Sequence, residues 1–230
     1  DLPKPPDFTG RSLPVIFKNE SVVVINKPSG ILTHAKGAPC DEFTVAEFVR
    51  LLTADTNGNR PGIVHRLDRG TSGVIICALN ESAHKFLQRQ FSQRKVKKNY
   101  LARLCRQPRL ASARLELPIK RNPKRPQTFS VSAGGRPSVT EYKLLKSFAD
   151  DSYLVRLTPL TGRTHQLRVH MAYIGSPICG DSLYGDAGCH HAKPPERMML
   201  HASSLEITVP TKKGNQRMVF RTDTPPGFEA

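Results

Sequence analysis

Hydrophobic and polar positions alternate along this chain with two periods, and the changes of period mark its elements. Leu13 to Phe17 and Ser21 to Ile25 are short β-branched runs separated by Lys18, Asn19 and Glu20, a hairpin pattern that leads into the turn Asn26-Lys27-Pro28-Ser29-Gly30. Ile31 to Cys40 reads as loop. Thr44-Val45-Ala46-Glu47 is a capping-box pattern, and Phe48, Val49 and Leu52 continue it as a helix from about Thr44 to Ala54. The polar breaker DTNGNR follows at 55–60. After PGIVHRLDRGTSG, at Pro61 to Gly73, the continuous apolar run Val74 to Leu79 predicts a buried strand.

Asn80 is placed to cap a helix reaching about Arg94, with Ala83, Phe86, Leu87, Gln90 and Phe91 at helical spacing. Val96 to Arg106 alternates as a strand that puts Lys98, Tyr100, Ala102 and Leu104 on one face. Further strands are predicted over Leu115 to Ile119, Gln127 to Val131, Ser138 to Phe148 and Tyr153 to Thr158. Thr161-Gly162-Arg163-Thr164 looks like a helix start, with Leu167, Met171 and Ile174 as the packed stripe and His165, Arg168 and Ala172 on another side. Gly175 to Gly188 reads as loop, and Met199 to Val209 with Arg217 to Arg221 complete the strands. The pattern predicts an α+β fold with one domain over 13–222. An extended, proline-rich arm precedes it at 1–12, and a tail expected to fray follows at 223–230.

Composition narrows the class. No stretch approaches the roughly 20 apolar residues that span a bilayer, so no membrane partner is expected. Five cysteines at wide spacing do not form a disulfide framework and fit a reducing, cytoplasmic setting. The group Cys179, Cys189, His190, His191 and His201 lacks the paired short spacings of a structural zinc site, so no metal is expected. A first residue that is Asp rather than Met points to a trimmed or partial chain. The net charge is +16. Between Lys85 and Arg125 fourteen Lys or Arg residues stand against one acid, Glu116, which favours a phosphate-tracking surface over an ordinary solvated face. The basic turn Lys120 to Arg125 is a candidate RNA-facing loop.

Against that background Asp68, between Arg66 and Arg69 on a loop entering the core, is either an ion-pair member or a reagent. Tyr100 among cations is either core or a ring on which a base stacks. Arg168 is either a solvated helical side chain or one aimed at a site.

The motifs at Val24 to Gly30 (VINKPSG), His65 to Gly73 (HRLDRGTSG), Lys98-Asn99-Tyr100, Thr161 to Arg168 (TGRTHQLR), Gly180 to Gly185 (GDSLYG) and Leu200-His201-Ala202 decide among these readings. In this order they resemble the pseudouridine synthases, specifically the family named after its large-subunit member A, which modifies uridines in ribosomal and transfer RNA. The resemblance implies a mixed, largely antiparallel central sheet with a cleft, and no metal or organic cofactor. It implies that Asp68 is the catalytic aspartate, Tyr100 the ring against the target base, and Arg168 the cation paired with the aspartate. Arg66 is similar to the arginine that fills the space of the flipped nucleotide. Arg69, Lys98, Arg163, His165 and Lys27 are expected with it as contacts to structured RNA, rRNA or tRNA, and a monomer is expected. Two departures stand out. The residues ahead of Leu13 leave no room for the small RNA-binding domain many relatives carry there, and Gly70 occupies a position where relatives often have a polar side chain.

The chemistry implied is isomerisation of uridine by flipping the base, breaking N1–C1′, turning the base and forming C5–C1′. An ionised Asp68 can act as nucleophile or remove a sugar proton, and the sequence leaves both routes open. Two other classes stay in view. One is a non-catalytic RNA-binding or assembly protein on the same scaffold. The other is a nucleoside or glycoside hydrolase, which needs a second carboxylate such as Asp181 or Asp186.

Overall fold

A computed structural model describes residues 8–35, 42–53, 60–185 and 195–228. In chain order its elements are β1 (Val15–Lys18), β2 (Val22–Lys27), α1 (Val45–Arg50), β3 (Ser72–Ala78), α2 (Glu81–Ser92), β4 (Lys97–Leu104), β5 (Ser112–Glu116), β6 (Ile119–Arg121), β7 (Phe129–Val131), β8 (Val139–Ser147), β9 (Tyr153–Pro159), α3 (Gln166–Tyr173), β10 (Leu200–Thr211) and β11 (Gly214–Arg221). The pairs β1–β2, β2–β3, β4–β9, β5–β8, β6–β7, β8–β9 and β10–β11 are all antiparallel, so the α+β class with a largely antiparallel sheet is borne out. Among the described residues no helix is long and apolar enough to cross a membrane.

The chain divides into two compact units, residues 1–96 with 204–222 and residues 97–203 with 223–230. In the first, β3 is the central strand. All seven of its residues are buried, as the continuous apolar run requires, and Val74 and Ile76 join Val22, Val24, Leu205, Ile207 and Phe220 in one core. Asn80 caps α2 by accepting from the Ala83 amide at 2.9 Å. Gln90 on that helix exchanges two hydrogen bonds with the Thr208 backbone, Nε2 to the carbonyl at 2.7 Å and Oε1 from the amide at 3.0 Å. Gly62, at φ +65°, presses so closely on the Ala78 carbonyl that a Cβ would lie 2.0 Å from its oxygen. A glycine is required there, and it fixes where the Pro61–Gly73 segment leaves the end of β3.

The second unit orders its strands β10, β4, β9, β8, β5, with β10 entering only by its first residues, and the β6–β7 hairpin stands apart. Its core gathers Ala102, Leu104, Val155, Leu157, Leu167, Met171, Ile178 and Met199.

Several expectations shift. The helix expected to Ala54 is capped by Thr44 as foreseen but is assigned only to Arg50; Ala54 lies outside the described residues. The strand expected over Leu115 to Ile119 breaks at Leu117-Pro118 into β5 and β6, because proline has no amide to give a ladder. Helix α3 begins at Gln166 rather than near Thr161, since the Gln166 side chain holds the preceding loop. The chain end does not fray through Phe228, which is fully buried in the second unit's core and outweighs the entropy of a loose tail. The arm is likewise tied down at Phe8, whose ring packs 5.5 Å from Phe43.

Candidate active site

In the first unit the loop bearing Asp68 is held from beneath by the turn after β2. The Thr33 hydroxyl donates to the Leu67 carbonyl at 2.8 Å and accepts from the Leu67 amide at 3.1 Å. The Ser29 hydroxyl donates to the Gly70 carbonyl at 2.8 Å, and the Gly30 amide to that of Arg69 at 2.8 Å. The Lys27 ammonium donates to the carbonyls of Pro28, Ile31 and Arg69. Lys27 is fully buried, so its expected place at the RNA surface is corrected: the side chain is an internal clamp that joins VINKPSG to HRLDRGTSG. The loop closes on itself through the Thr71 amide and the Asp68 carbonyl, 3.0 Å apart. His65 accepts from the Ile76 amide and stacks on Phe91, anchoring the other end on β3 and α2.

This frame leaves Asp68 half-buried, with Arg66 and Arg69 exposed on either side. Arg69 grips Glu42 through two guanidinium contacts, at 2.8 and 3.2 Å. His34 is buried with neither ring nitrogen bonded among the described residues. Burial, then the charges of Arg60 and Arg66, push its imidazole down to about 4, so it is neutral at physiological pH.

The second unit holds Tyr100, Lys98, Arg163, His165 and Arg168. Tyr100 is half-buried at the edge of the core, opposite Leu157 in the ladder. Arg168 is not on a solvated face. Residues Gln166 to Met171 are all buried, and Arg168 forms a fork with Asp181, Nε to Oδ2 at 2.7 Å and Nη2 to Oδ1 at 2.8 Å. The same Oδ1 accepts the amides of Leu183 and Tyr184 at 3.0 and 3.1 Å. The Tyr184 ring lies 5.0 Å beneath the guanidinium, and its hydroxyl meets His165 Nδ1 and the Phe129 amide, both at 2.8 Å. His165 reaches it from a left-handed backbone, φ +56°, a conformation that a non-glycine residue keeps only when its surroundings demand it. Arg163 turns its Nε to the Pro137 carbonyl at 3.2 Å.

In the sequence Tyr184 stood only within a landmark motif, and Asp181 there and as a possible second carboxylate; the structure joins both to Arg168. The available signal was GDSLYG itself, a loop with an acid and a ring at i, i+3. Gln166 also stood only within a motif. It accepts from the Thr161 hydroxyl at 2.6 Å and the Arg163 amide at 3.0 Å, and donates to Val139 and Thr140 on β8. Among the described residues no cluster of three His, Cys, Asp or Glu side chains is placed to hold a metal. Cys189, His190, His191 and Asp186 lie outside the described residues. Cys77, Cys105 and Cys179 are buried.

A family profile described as RNA pseudouridylate synthase matches residues 21–173. The chain is 42% identical over 202 residues to ribosomal large subunit pseudouridine synthase D of Borreliella burgdorferi, an alignment that covers 85% of this chain and 61% of that protein. It is 38% identical over 199 residues to the dual-specificity RNA pseudouridine synthase RluA of Escherichia coli, covering 86% and 88% respectively. Of solved structures, human RNA pseudouridylate synthase domain containing 1 superposes with a TM-score of 0.74 at 29% identity, over 94% of this chain and 86% of that one. Human RNA pseudouridylate synthase domain containing 4 shares the fold, with a TM-score of 0.69 at 24% identity over 94% and 90% of the two chains.

Proposed function

The chain belongs to the RNA pseudouridylate synthase family, and from that premise we propose that it isomerises a specific uridine in structured RNA, rRNA or tRNA, to pseudouridine. Asp68 is the reagent. The observation that carries this role is its placement: a half-buried carboxylate on a loop fixed at Leu67, Arg69 and Gly70 by three separate side chains of the preceding turn. Such clamping aligns a single carboxylate with one ribose and lowers the entropic part of the barrier. Tyr100 is the wall that keeps the released base in place, and Arg168 the counter-charge. Arg66 fills the stack that the flipped uridine leaves, and extrusion costs a few kcal/mol. The exposed basic side chains offset that cost by meeting phosphates. The protein works as a monomer in the cytoplasm.

The engagement of Asp181 weighs against a hydrolase reading. Both of its oxygens are held by Arg168 and backbone amides, which leaves it unsuited to the second-carboxylate role that a typical glycosidase requires. The test is to map pseudouridines in RNA from cells that lack the protein, after complementation with wild type or Asp68→Asn. Wild type restores specific sites and Asp68→Asn restores none. Identical maps from the two would end the assignment.

A further inference from the structure

One face of β4 carries Lys98, Tyr100, Ala102 and Leu104, and the last two are fully buried in the second unit's core. Side chains on one face of a strand repeat about every 7 Å, so Lys98 stands one step beyond Tyr100 on the side away from that core. Its ammonium has a single hydrogen-bond partner among the described residues, the Thr161 carbonyl at 3.3 Å. That carbonyl belongs to a rigid loop, because the Thr161 hydroxyl is fixed between the Val139 amide at 2.9 Å and Gln166 Oε1 at 2.6 Å. Gly162 follows, and a Cβ there would lie only 3.8 Å from the ammonium, so the loop covers Lys98 closely.

The second-unit segments beside this lysine contribute no carboxylate. β4 reads KKNYLARL, β9 YLVRLTP, the loop 160–165 LTGRTH, and the first residues of β10 LHAS. The other titratable groups in these segments are Lys97, Tyr100, Arg103, Tyr153, Arg156, Arg163, His165 and His201, with no acid among them. An ammonium with one protein acceptor among the described residues is poorly compensated. Burial accordingly lowers it to about 8. A phosphate is met better by exposed cations such as Lys97 on the opposite face. Lys98 instead shares the half-buried face of the ring assigned to the target base.

We propose that Lys98 is a charge-stabilising residue of the isomerisation, its ammonium donating a hydrogen bond to a carbonyl oxygen of the detached uracil anion and holding it beside Tyr100 while it turns. This rests on the reading above that Tyr100 meets the base. When N1–C1′ breaks, the bonding pair stays on N1, and the uracil carries a negative charge shared with its ring oxygens. The ammonium neutralises that charge without transferring its proton. C5 then bonds to C1′, the C5 proton departs and N1 takes one up, so the product is an isomer and Lys98 ends as it began.

The experiment follows single-turnover conversion of an unmodified in vitro transcript that contains the mapped uridine, with wild type, Lys98→Met and Lys98→Arg across a pH series. Lys98→Met converts about 100-fold more slowly, the usual loss when one preset donor to a developing anion is removed. Its affinity for the transcript, measured in an Asp68→Asn background, stays within about threefold of the matching control, because the ammonium meets charge that arises only after bond cleavage. The wild-type rate falls as pH rises through about 8, where the ammonium gives up its proton. Lys98→Arg keeps its charge, retains more activity than Lys98→Met and lacks that alkaline limb. A wild-type rate in Lys98→Met overturns the proposal, as does a loss confined to affinity with a shallower salt dependence, the mark of a phosphate contact. Should Lys98→Met not fold, as judged by its circular dichroism, the Arg variant decides: an alkaline limb at the wild-type position excludes Lys98. If wild type binds the transcripts but converts no uridine, the parent reading fails.

Discussion

Asp181 commits both carboxylate oxygens, Oδ2 to Arg168 and Oδ1 to Arg168 and two loop amides, with both side chains shielded from water. A buried fork of this kind fixes the plane of the guanidinium as well as its position. Its partner cannot be neutralised cheaply. Asp181→Asn removes the carboxylate that forks Arg168, and breaking such a buried pair costs about 3 kcal/mol or more. Urea unfolding will register that loss, and single-turnover rates will fall at least about tenfold through misalignment of Arg168, with RNA affinity nearly unchanged. A stability loss with an unaltered rate would make Asp181 structural only. His170, two residues along α3, is a contrasting buried side chain. It lies between Thr140 Oγ1 and the Leu117 carbonyl, and burial lowers its pKa so that it packs as a neutral ring.

At the scale of the element, the turn after β2 and the Asp68 loop behave as one part. Lys27, Ser29, Gly30 and Thr33 supply the donors, and Leu67, Arg69 and Gly70 supply the acceptors. Lys27→Met leaves buried carbonyls without their donor, an expected loss of about 2–4 kcal/mol in urea unfolding. Amide exchange will rise across residues 67–71, while RNA affinity at fixed salt and its salt slope hold. A lower slope with intact stability would restore Lys27 to the RNA surface. The two motifs were legible in the sequence as neighbours in a series. Their mutual clamping was not, because a buried lysine bonded to backbone carbonyls reads in one dimension like any surface cation.

For the whole molecule the governing quantity is charge. Twelve of the fourteen cations between Lys85 and Arg125 are exposed; Lys98 and Arg103 are half-buried, and Arg103 is engaged by Asp150. RNA binding will therefore weaken steeply with added salt, and each phosphate-contacting cation removed will lower the slope of log affinity against log salt by about 0.7 to 1. Filter binding over a salt series, with Lys120, Lys124 and Arg125 neutralised together, checks this. An affinity indifferent to salt would contradict it.

Local patterns determined much by themselves. The Thr44 and Asn80 caps, the buried β3 run, the alternating β4 face and the uneven charge all follow from nearest-neighbour sterics, amphipathic period and composition, which a chain carries in one dimension. The motif series was enough to place Asp68 in a family. What only tertiary structure decided is how side chains far apart in sequence compensate one another: Lys27 beneath Arg69, Arg168 against Asp181, Tyr184 on His165, and Phe228 in a core reached from the chain's end. Burial and pairing depend on through-space distance, and a polar residue's role turns on whether water or another side chain meets it. The same physics separates Lys97 from Lys98. They are adjacent in sequence, but one is exposed to solvent, while the other lies beside Tyr100 with a single carbonyl for company among the described residues.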